Sequence, residues 1–224
     1  MALHLYGSKT FYLTEAQLLN ITTGKPDITY VLQDVEGNPE YTWDGNQFVL
    51  TDKSRWTDID FPIIIRTTGT NVPSLVALQG DITAPQWPVN SYVVCEGQEL
   101  VHSWVEGSDI HWHCHVITNG VDTTNRYLKW EIEWCWANVG GVLSNIITTT
   151  SPDIMIPANT PSKTHVMCSI GTHVLSAKIS GHIYARLKRV TSLTGTAPTN
   201  NPWCTMLQIH IKNDYLGSKN IGTK

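Results

Sequence analysis

The chain has 224 residues, a formal net charge of -4 and only 15% charged residues, with nine Trp and eight Tyr but three Phe. Its longest basic run is Lys188-Arg189, which offers little to a phosphate backbone and argues against a nucleic-acid partner. No stretch approaches the ~20 consecutive apolar residues of a membrane helix, and the first residues lack the pattern of a signal peptide. We therefore expect no nucleic-acid partner, no membrane partner, and assembly in a cytosol.

Residues 1–54 predict a small N-terminal arm. Thr14 is followed by residues that favour a short helix, for which its side chain is a suitable N-cap. Asp44-Gly45 is a dipeptide typical of tight β-hairpins. Turn signals separate three short apolar runs, at residues 28–32, 41–43 and 47–50. The sequence therefore predicts a hairpin-bearing extension before a separate domain over residues 55–224.

The rest of the chain consists of short strand-like segments with turns at intervals of roughly 8 to 15 residues, as in sandwiches and barrels. These segments are residues 61–68, 74–78, 91–95, 99–104, 110–118, 127–137, 142–149, 164–170, 174–190 and 203–213. Gly181 lies within the penultimate segment and is a candidate bulge. We predict an all-β chain, most simply a jelly-roll-like β-sandwich preceded by the arm.

The most informative segment is residues 107–136, where side chains of different character alternate. Successive residues of a strand point to opposite faces. One face of the first strand therefore carries His111, His113 and His115, and the other carries Trp112, Cys114 and Val116.

The second strand of this segment repeats the alternation. One face carries Glu131 and Glu133, and the other carries Trp130, Ile132, Trp134 and Trp136. If the two strands pair and both indole faces point into a core, the histidines lie opposite the glutamates. This arrangement predicts either a metal site or a structural ladder of His and Glu side chains.

The metal hypothesis has five candidate ligands. Imidazoles on one side of a strand suit zinc, iron, nickel or copper. The spacing of Gly107, His113 and His115 resembles the opening of the cupin metal motif, but the following cupin glutamate is missing, since residues 119 and 120 are Asn and Gly. A facing carboxylate could replace it. The candidate ligands are His111, His113, His115, Glu131 and Glu133, and a cupin-like metalloenzyme is a remote alternative.

Other catalytic signatures are missing from the sequence. It has no Gly-x-Ser-x-Gly elbow, no catalytic Cys signature, no phosphate-binding loop and no Rossmann glycine pattern. The five cysteines have no zinc-site spacing, so we expect reduced, buried thiols. These observations predict a chain that is not an enzyme and has no cofactor.

Several tryptophans lie beside turns or strand starts, where an aromatic ring can bind sugar, plug the end of a sandwich or contact a subunit. The candidates for an interface are Trp43, Trp56, Trp87 and Trp203.

Several blocks resemble a set of tailed-phage and prophage proteins. Ser54-Arg-Trp56-Thr-Asp58-Ile-Asp60-Phe-Pro62 is similar to their opening block, and Val101-His-Ser-Trp104-Val-Glu-Gly-Ser-Asp-Ile110 followed by His113-Cys-His115 is similar to the next. Further matching blocks are residues 128–140, 179–189 and 207–219. His111 and Cys114 depart from the pattern, so a site with three histidines would be peculiar to this chain.

The resemblance implies a structural protein of a tailed-phage virion, assembled in the host cytoplasm. We expect a capsid decoration or cement protein that forms a homo-oligomer, most simply a homotrimer, and contacts the major capsid protein. The alternative is a tail adaptor or receptor-binding tail protein, with other tail proteins as its partners.

Overall fold

A computed structural model describes residues 10–25, 28–33, 40–43, 45–50, 55–65 and 71–213. The chain divides into two compact units, Met1–Lys53 and Ser54–Lys224. Strands predominate in both, which confirms the all-β prediction. Among the described residues, no helix is long and apolar enough to cross a membrane.

The first unit is a four-stranded sheet with one short helix. Its elements are β1 (Thr10–Leu13), α1 (Glu15–Leu19), β2 (Thr29–Leu32), β3 (Glu40–Trp43) and β4 (Phe48–Leu50). The strands lie in chain order, and β1 and β2 are parallel. Thr14 caps the helix as predicted, in a capping box with Gln17. The antiparallel pairing of Trp43 with Phe48 confirms the predicted hairpin, although Asp44 lies outside the described residues.

The second unit contains the remaining strands. They are β5 (Arg55–Phe61), β6 (Ser74–Gln79), β7 (Ile82–Gln86), β8 (Tyr92–Val94), β9 (Gln98–Glu99), β10 (Asp109–Ile117), β11 (Arg126–Leu128), β12 (Trp130–Ala137), β13 (Ile147–Thr150), β14 (Ile154–Ile156), β15 (His165–Val174), β16 (His182–Arg189) and β17 (Trp203–Asn213).

Two sheets form the sandwich of this unit. Sheet I has the order β15-β10-β17-β7-β6, and β5 also pairs with β17. Sheet II has the order β13-β12-β16-β8, and β9 also pairs with β16, while β11 and β14 pair separately. The chain crosses repeatedly between the two sheets. The β-sandwich is confirmed, and its jelly-roll form stays a prediction.

The core between the sheets is rich in indole rings. Trp112 of sheet I lies 5.7 Å from Trp134 of sheet II between ring centroids, and Phe61 lies 5.0 Å from Trp112 on the same side. Trp130 and Ile132 are fully buried in the same cluster. The alternation in β10 and β12 therefore identified the core-facing side chains correctly.

Several predicted strand boundaries were wrong. The segment 99–104 turns back after Glu99, because the amide of Trp104 donates to the carbonyl of Val101. The segment 174–190 is interrupted by a turn in which Ser180 has a positive φ of 57°. At Gly181 a Cβ would lie 2.7 Å from the carbonyl oxygen of Lys178, so this position accepts only glycine. The segment predicted at residues 61–68 is also misplaced, because the strand β5 spans Arg55–Phe61.

Candidate functional site

The predicted His/Glu pairing is wrong, because β10 and β12 lie in different sheets. β10 pairs with β15 and β17, and β12 pairs with β13 and β16. The indole faces of β10 and β12 meet across the core, so their polar faces point away from each other on opposite sides of the sandwich.

The two glutamates have basic partners within sheet II. Glu133 forms an ion pair with Arg186 at 2.7 Å, and Glu131 lies 3.5 Å from Lys188. These are cross-strand pairs, since Glu131 is opposite Lys188 and Glu133 is opposite Arg186 in the register of β12 and β16. Glu131 and Glu133 are therefore not available to His111, His113 or His115.

The histidines instead belong to a polar outer face of sheet I, which we call the histidine face. Rows of side chains cross its strands in register. In one row Asp58, His210, His111 and Thr172 are successive partners. The next row is Asp60, Gln208, His113 and Ser169. The face also includes Trp56, His115, His165 and Met167.

Asp58 joins two histidines of this face. Its Oδ1 atom lies 2.8 Å from Nδ1 of His210 and 3.8 Å from Nε2 of His113. His113 is only 6% exposed, although it lies on the outer side of the sheet. The carboxylate of Asp58 on β5 thus lies beside imidazoles of both neighbouring strands, β17 and β10.

Gln208 is the centre of the hydrogen-bond network. Its amide nitrogen donates to Asp60, which leaves Oε1 as an acceptor for Nε2 of His113 at 3.0 Å and Nε2 of His115 at 2.6 Å. A carbonyl oxygen only accepts, so both imidazoles carry a hydrogen on Nε2. The network therefore determines the tautomer of two neighbouring rings.

His115 extends this network to the edge of the sheet. In neutral His115 the Nδ1 atom is an acceptor, and Nε2 of His165 lies 2.7 Å from it. The two rings are stacked with centroids 4.9 Å apart. His165 therefore donates to His115, and the chain of bonds runs from His165 through His115 to Gln208 and Asp60.

Trp56 supplies the exposed aromatic surface of the histidine face. Its ring is 47% exposed and lies 4.7 Å from the ring of His111 and 5.1 Å from that of His210. A shallow depression of about 410 Å³ is lined by these three residues together with His113, Met167 and Ser169. Exposed Trp and Met beside polar groups are typical of surfaces that contact other proteins.

The other tryptophans proposed for an interface lie elsewhere. Trp87 is fully buried and Trp203 is 4% exposed, because both rings fill the sandwich core. Neither ring is accessible to a partner in this fold. Trp43 is half-buried in the first unit, where its ring lies 5.0 Å from that of Phe48.

The described residues contain no group of three or more His, Cys, Asp or Glu side chains arranged to hold a metal ion. The polar atoms of the histidine face bond to one another, as the contacts of Asp58 and Gln208 illustrate. The histidine face is thus a surface whose polar side chains form hydrogen bonds and ion pairs with one another.

The five cysteines are free, and four of them are buried as predicted, whereas Cys135 is only partly buried. Burial raises the pKa of the Cys114 thiol well above its usual value, and the neighbouring Cys168 and Cys204 thiols raise it further. Burial also raises the pKa of Cys95 to about 12, with a smaller contribution from Cys204. These thiols are protonated at neutral pH and are poor nucleophiles.

The sequence interpretation missed most of the histidine face. Asp58, Asp60 and Trp56 alternate along β5, and this alternation was the available signal. Gln208 and His210 alternate in the same way along β17, but no local signal places that strand beside β10.

No family model matches the chain, and no curated protein is similar to it in sequence. Among solved structures, a chain from a structure of infectious bursal disease virus, Gx strain, aligns with 87% of this chain at 9% identity and a TM-score of 0.35. The alignment spans 40% of that longer chain. A TM-score below 0.5 does not establish a common fold.

Proposed function

We propose that the chain is a structural protein of a tailed-phage virion that acts through protein contacts and not through catalysis. Within that class, we propose a capsid decoration or cement protein. The observation that supports this most directly is how the sequence blocks similar to phage particle proteins meet in the fold. Residues of different blocks contact one another and hold the sandwich together.

Glu106 is the clearest example. It belongs to the block that ends at Ile110, and its carboxylate accepts a hydrogen bond from the amide of Ile179 at 2.9 Å and one from Nζ of Lys178 at 3.0 Å. Ile179 begins another of the matching blocks. The Glu106 carboxylate thus joins two distant blocks by satisfying a backbone donor at the turn before β16.

Trp104 and His102 make similar connections. Trp104 is fully buried and forms an isolated β-bridge with Asn213 at the end of β17. His102 lies 2.7 Å from the hydroxyl of Ser180, measured from Nε2 to Oγ. The residues of the matching blocks therefore stabilise the sandwich, which supports a structural role for the protein.

The histidine face supplies the contact surface in this proposal. It combines an exposed Trp56 with the side chains of Met167 and His111 around a shallow depression. Its partner would be the major capsid protein, and burial of apolar area there contributes about 25 cal/mol per Å² before the cost of association. We propose a homotrimer on the shell, located in the virion after assembly in the host cytoplasm.

The test compares shells with and without the protein. Shells that lack it should bind the purified chain and then withstand a higher temperature or a lower salt concentration, as measured by light scattering and electron microscopy. Shells that neither bind it nor gain stability would contradict the cement role.

The alternative is a tail adaptor or receptor-binding tail protein. A tagged chain imaged on the intact virion distinguishes the two, since label on the capsid supports decoration and label on the tail supports the alternative. Glycan binding by the isolated protein would favour the receptor-binding role. Turnover of a substrate, or a stoichiometric metal in the purified chain, would instead favour an enzyme and overturn the structural proposal.

A further inference from the structure

The strand β15 forms a long open edge of sheet I. It has ten residues and forms the end of sheet I, where it pairs with β10 on one side. In the described part of the chain, no strand pairs with its other side. A long open edge of this kind is a template for another strand.

The hydrogen bonds of the neighbouring residues show which backbone groups point outward. The amide of Thr118 donates to the carbonyl of Thr164, so these two residues are a hydrogen-bonded pair of the antiparallel ladder. Such pairs recur at every second residue. The backbone groups of His165, Met167 and Ser169 therefore point to the open edge, and no backbone group among the described residues bonds them.

The stretch 165–169 of this edge has few of the usual protections against pairing. Natural edge strands are commonly blocked by Lys, by other charged residues, by Pro or by a bulge. β15 contains no Lys, Arg, Asp, Glu or Pro, and its bulge lies beyond Ser169. Met167 is 62% exposed in the middle of the open stretch. The stretch ends at a bulge, after which Gly171 lies close against Thr149 of β13.

We propose that β15 pairs with the same strand of a second copy of the chain, in antiparallel orientation, with Met167 at the two-fold axis. In this register Met167 lies opposite Met167 of the other copy, and His165 lies opposite Ser169. By symmetry Ser169 lies opposite His165 of the other copy, and each of the resulting three pairs exchanges two backbone hydrogen bonds.

A second copy fits this edge because the register is self-complementary. A two-fold contact places the residue at its axis opposite its own symmetry equivalent, so an ionised residue there would meet a like charge. β15 has no ionised Asp, Glu, Lys or Arg side chain, and an apolar methionine occupies the axis. The pairing also joins the two histidine faces, because His165 and Met167 lie on that side of the sheet.

The pairing has a consequence for assembly. A two-fold contact gives even-numbered assemblies, namely a dimer by itself or a hexamer where two of the homotrimers proposed above join through it. The inference concerns the isolated chain and does not rest on the chain being a virion protein.

The test measures the mass of the full chain by sedimentation and native mass spectrometry. The wild type should form a dimer of twice the 25.0 kDa chain mass, or a larger even-numbered assembly. Met167→Lys should convert the dimer to a monomer, because it places two ammonium groups opposite each other. Met155→Lys is the matched control, since Met155 is 50% exposed on β14, away from the edge, and this variant should stay dimeric.

A charge swap tests the register directly. Met167→Glu alone should also be monomeric, and an equimolar mixture with Met167→Lys should form mixed dimers because opposite charges then face each other. Circular dichroism of each variant checks that the fold is retained. A wild type that is monomeric or purely trimeric, or a mixture that does not associate, would overturn the proposal.

Discussion

The side chain of Gln208 accepts a hydrogen bond from Nε2 of His113 at 3.0 Å, and both residues are more than nine-tenths buried although they lie on the outer face of sheet I. This pair determines how the surrounding imidazoles are held. Its removal is the most direct way to test whether the histidine face is an ordered surface.

We expect Gln208→Leu to lower the free energy of unfolding by about 1 to 3 kcal/mol, the usual cost of leaving a buried polar partner unpaired. His113 would lose its acceptor and Asp60 would lose a donor. Urea denaturation measures the change. Gln33→Leu is the control at an exposed glutamine and should change the stability by less than about 0.5 kcal/mol. Equal effects of the two substitutions would contradict a structural role for the network.

Arg189 is a second buried polar group with a testable role. Its guanidinium donates to the carbonyl of Trp87 and to Oδ1 of Asn201, and burial lowers its pKa to about 10. Arg189→Met should reduce the free energy of unfolding by roughly 1 to 3 kcal/mol, because the buried carbonyl of Trp87 and the partly buried side chain of Asn201 lose their donor. Arg186→Met on the same strand should cost about 0 to 1 kcal/mol, since Arg186 forms a partly exposed ion pair. Thermal and urea unfolding of both variants provide the comparison.

Asp153 should make the fold sensitive to acid. Hydrogen bonds from the hydroxyl and amide of Thr194 hold the pKa of the Asp153 carboxyl well below its usual value, with further contributions from Lys129 and Leu193. A lowered folded-state pKa stabilises the fold above the unfolded pKa near 3.9, and this contribution is lost as the pH falls towards the folded value. The melting temperature of the wild type should therefore drop below pH 4.

The drop should be shallower in Asp153→Asn, which is already less stable at pH 7. Asp81→Asn, at the exposed turn between β6 and β7, is the control and should follow the wild type. If Asp153→Asn and the wild type have parallel profiles between pH 2 and 5, the assignment to this carboxyl is wrong.

Trp56 should be the main contact of the histidine face with the shell. We expect Trp56→Ala to weaken binding to shells by at least about tenfold, because exposed tryptophans at the centre of an interface often contribute more than 1 kcal/mol. Tyr92→Ala on sheet II is the control and should bind normally. Cosedimentation with shells measures both, and equal binding by all three proteins would show that another surface makes the contact.

The cysteines should differ in their reactivity towards iodoacetamide. Burial keeps the thiols of Cys114 and Cys95 protonated, whereas Cys135 is partly exposed. Peptide mapping of the native protein at pH 8 should find Cys135 modified first and Cys114 modified only after unfolding. Rapid labelling of Cys114 in the native state would mean that the core opens readily.

The sequence predicted the faces of the strands better than their neighbours. Alternation along β10 separated His113 from Trp112 correctly, because the side-chain period of a strand is a local property. It carried no information on whether Glu133 pairs with that strand or lies across the core from it. The two arrangements bury the same indole rings, and only the order of strands in each sheet distinguishes them.

The histidine face depended on contacts between distant residues. Asp58 lies opposite His210, and Asp60 lies opposite Gln208, in pairs separated by about 150 positions along the chain. Neither segment has a sequence motif that predicts its pairing with the other. The resulting burial of His113 followed from tertiary pairing, which periodicity does not encode.

The contact of Trp112 with Trp134 gives the molecule an optical reporter. These rings belong to opposite sheets, and Trp136 extends the cluster with a ring centroid 5.6 Å from that of Trp134. Separation of the sheets exposes the indoles to water and shifts their fluorescence emission to longer wavelength. Pairing at β15 leaves these rings in place. Emission wavelength and molecular mass therefore follow unfolding and association as two separate signals in one sample.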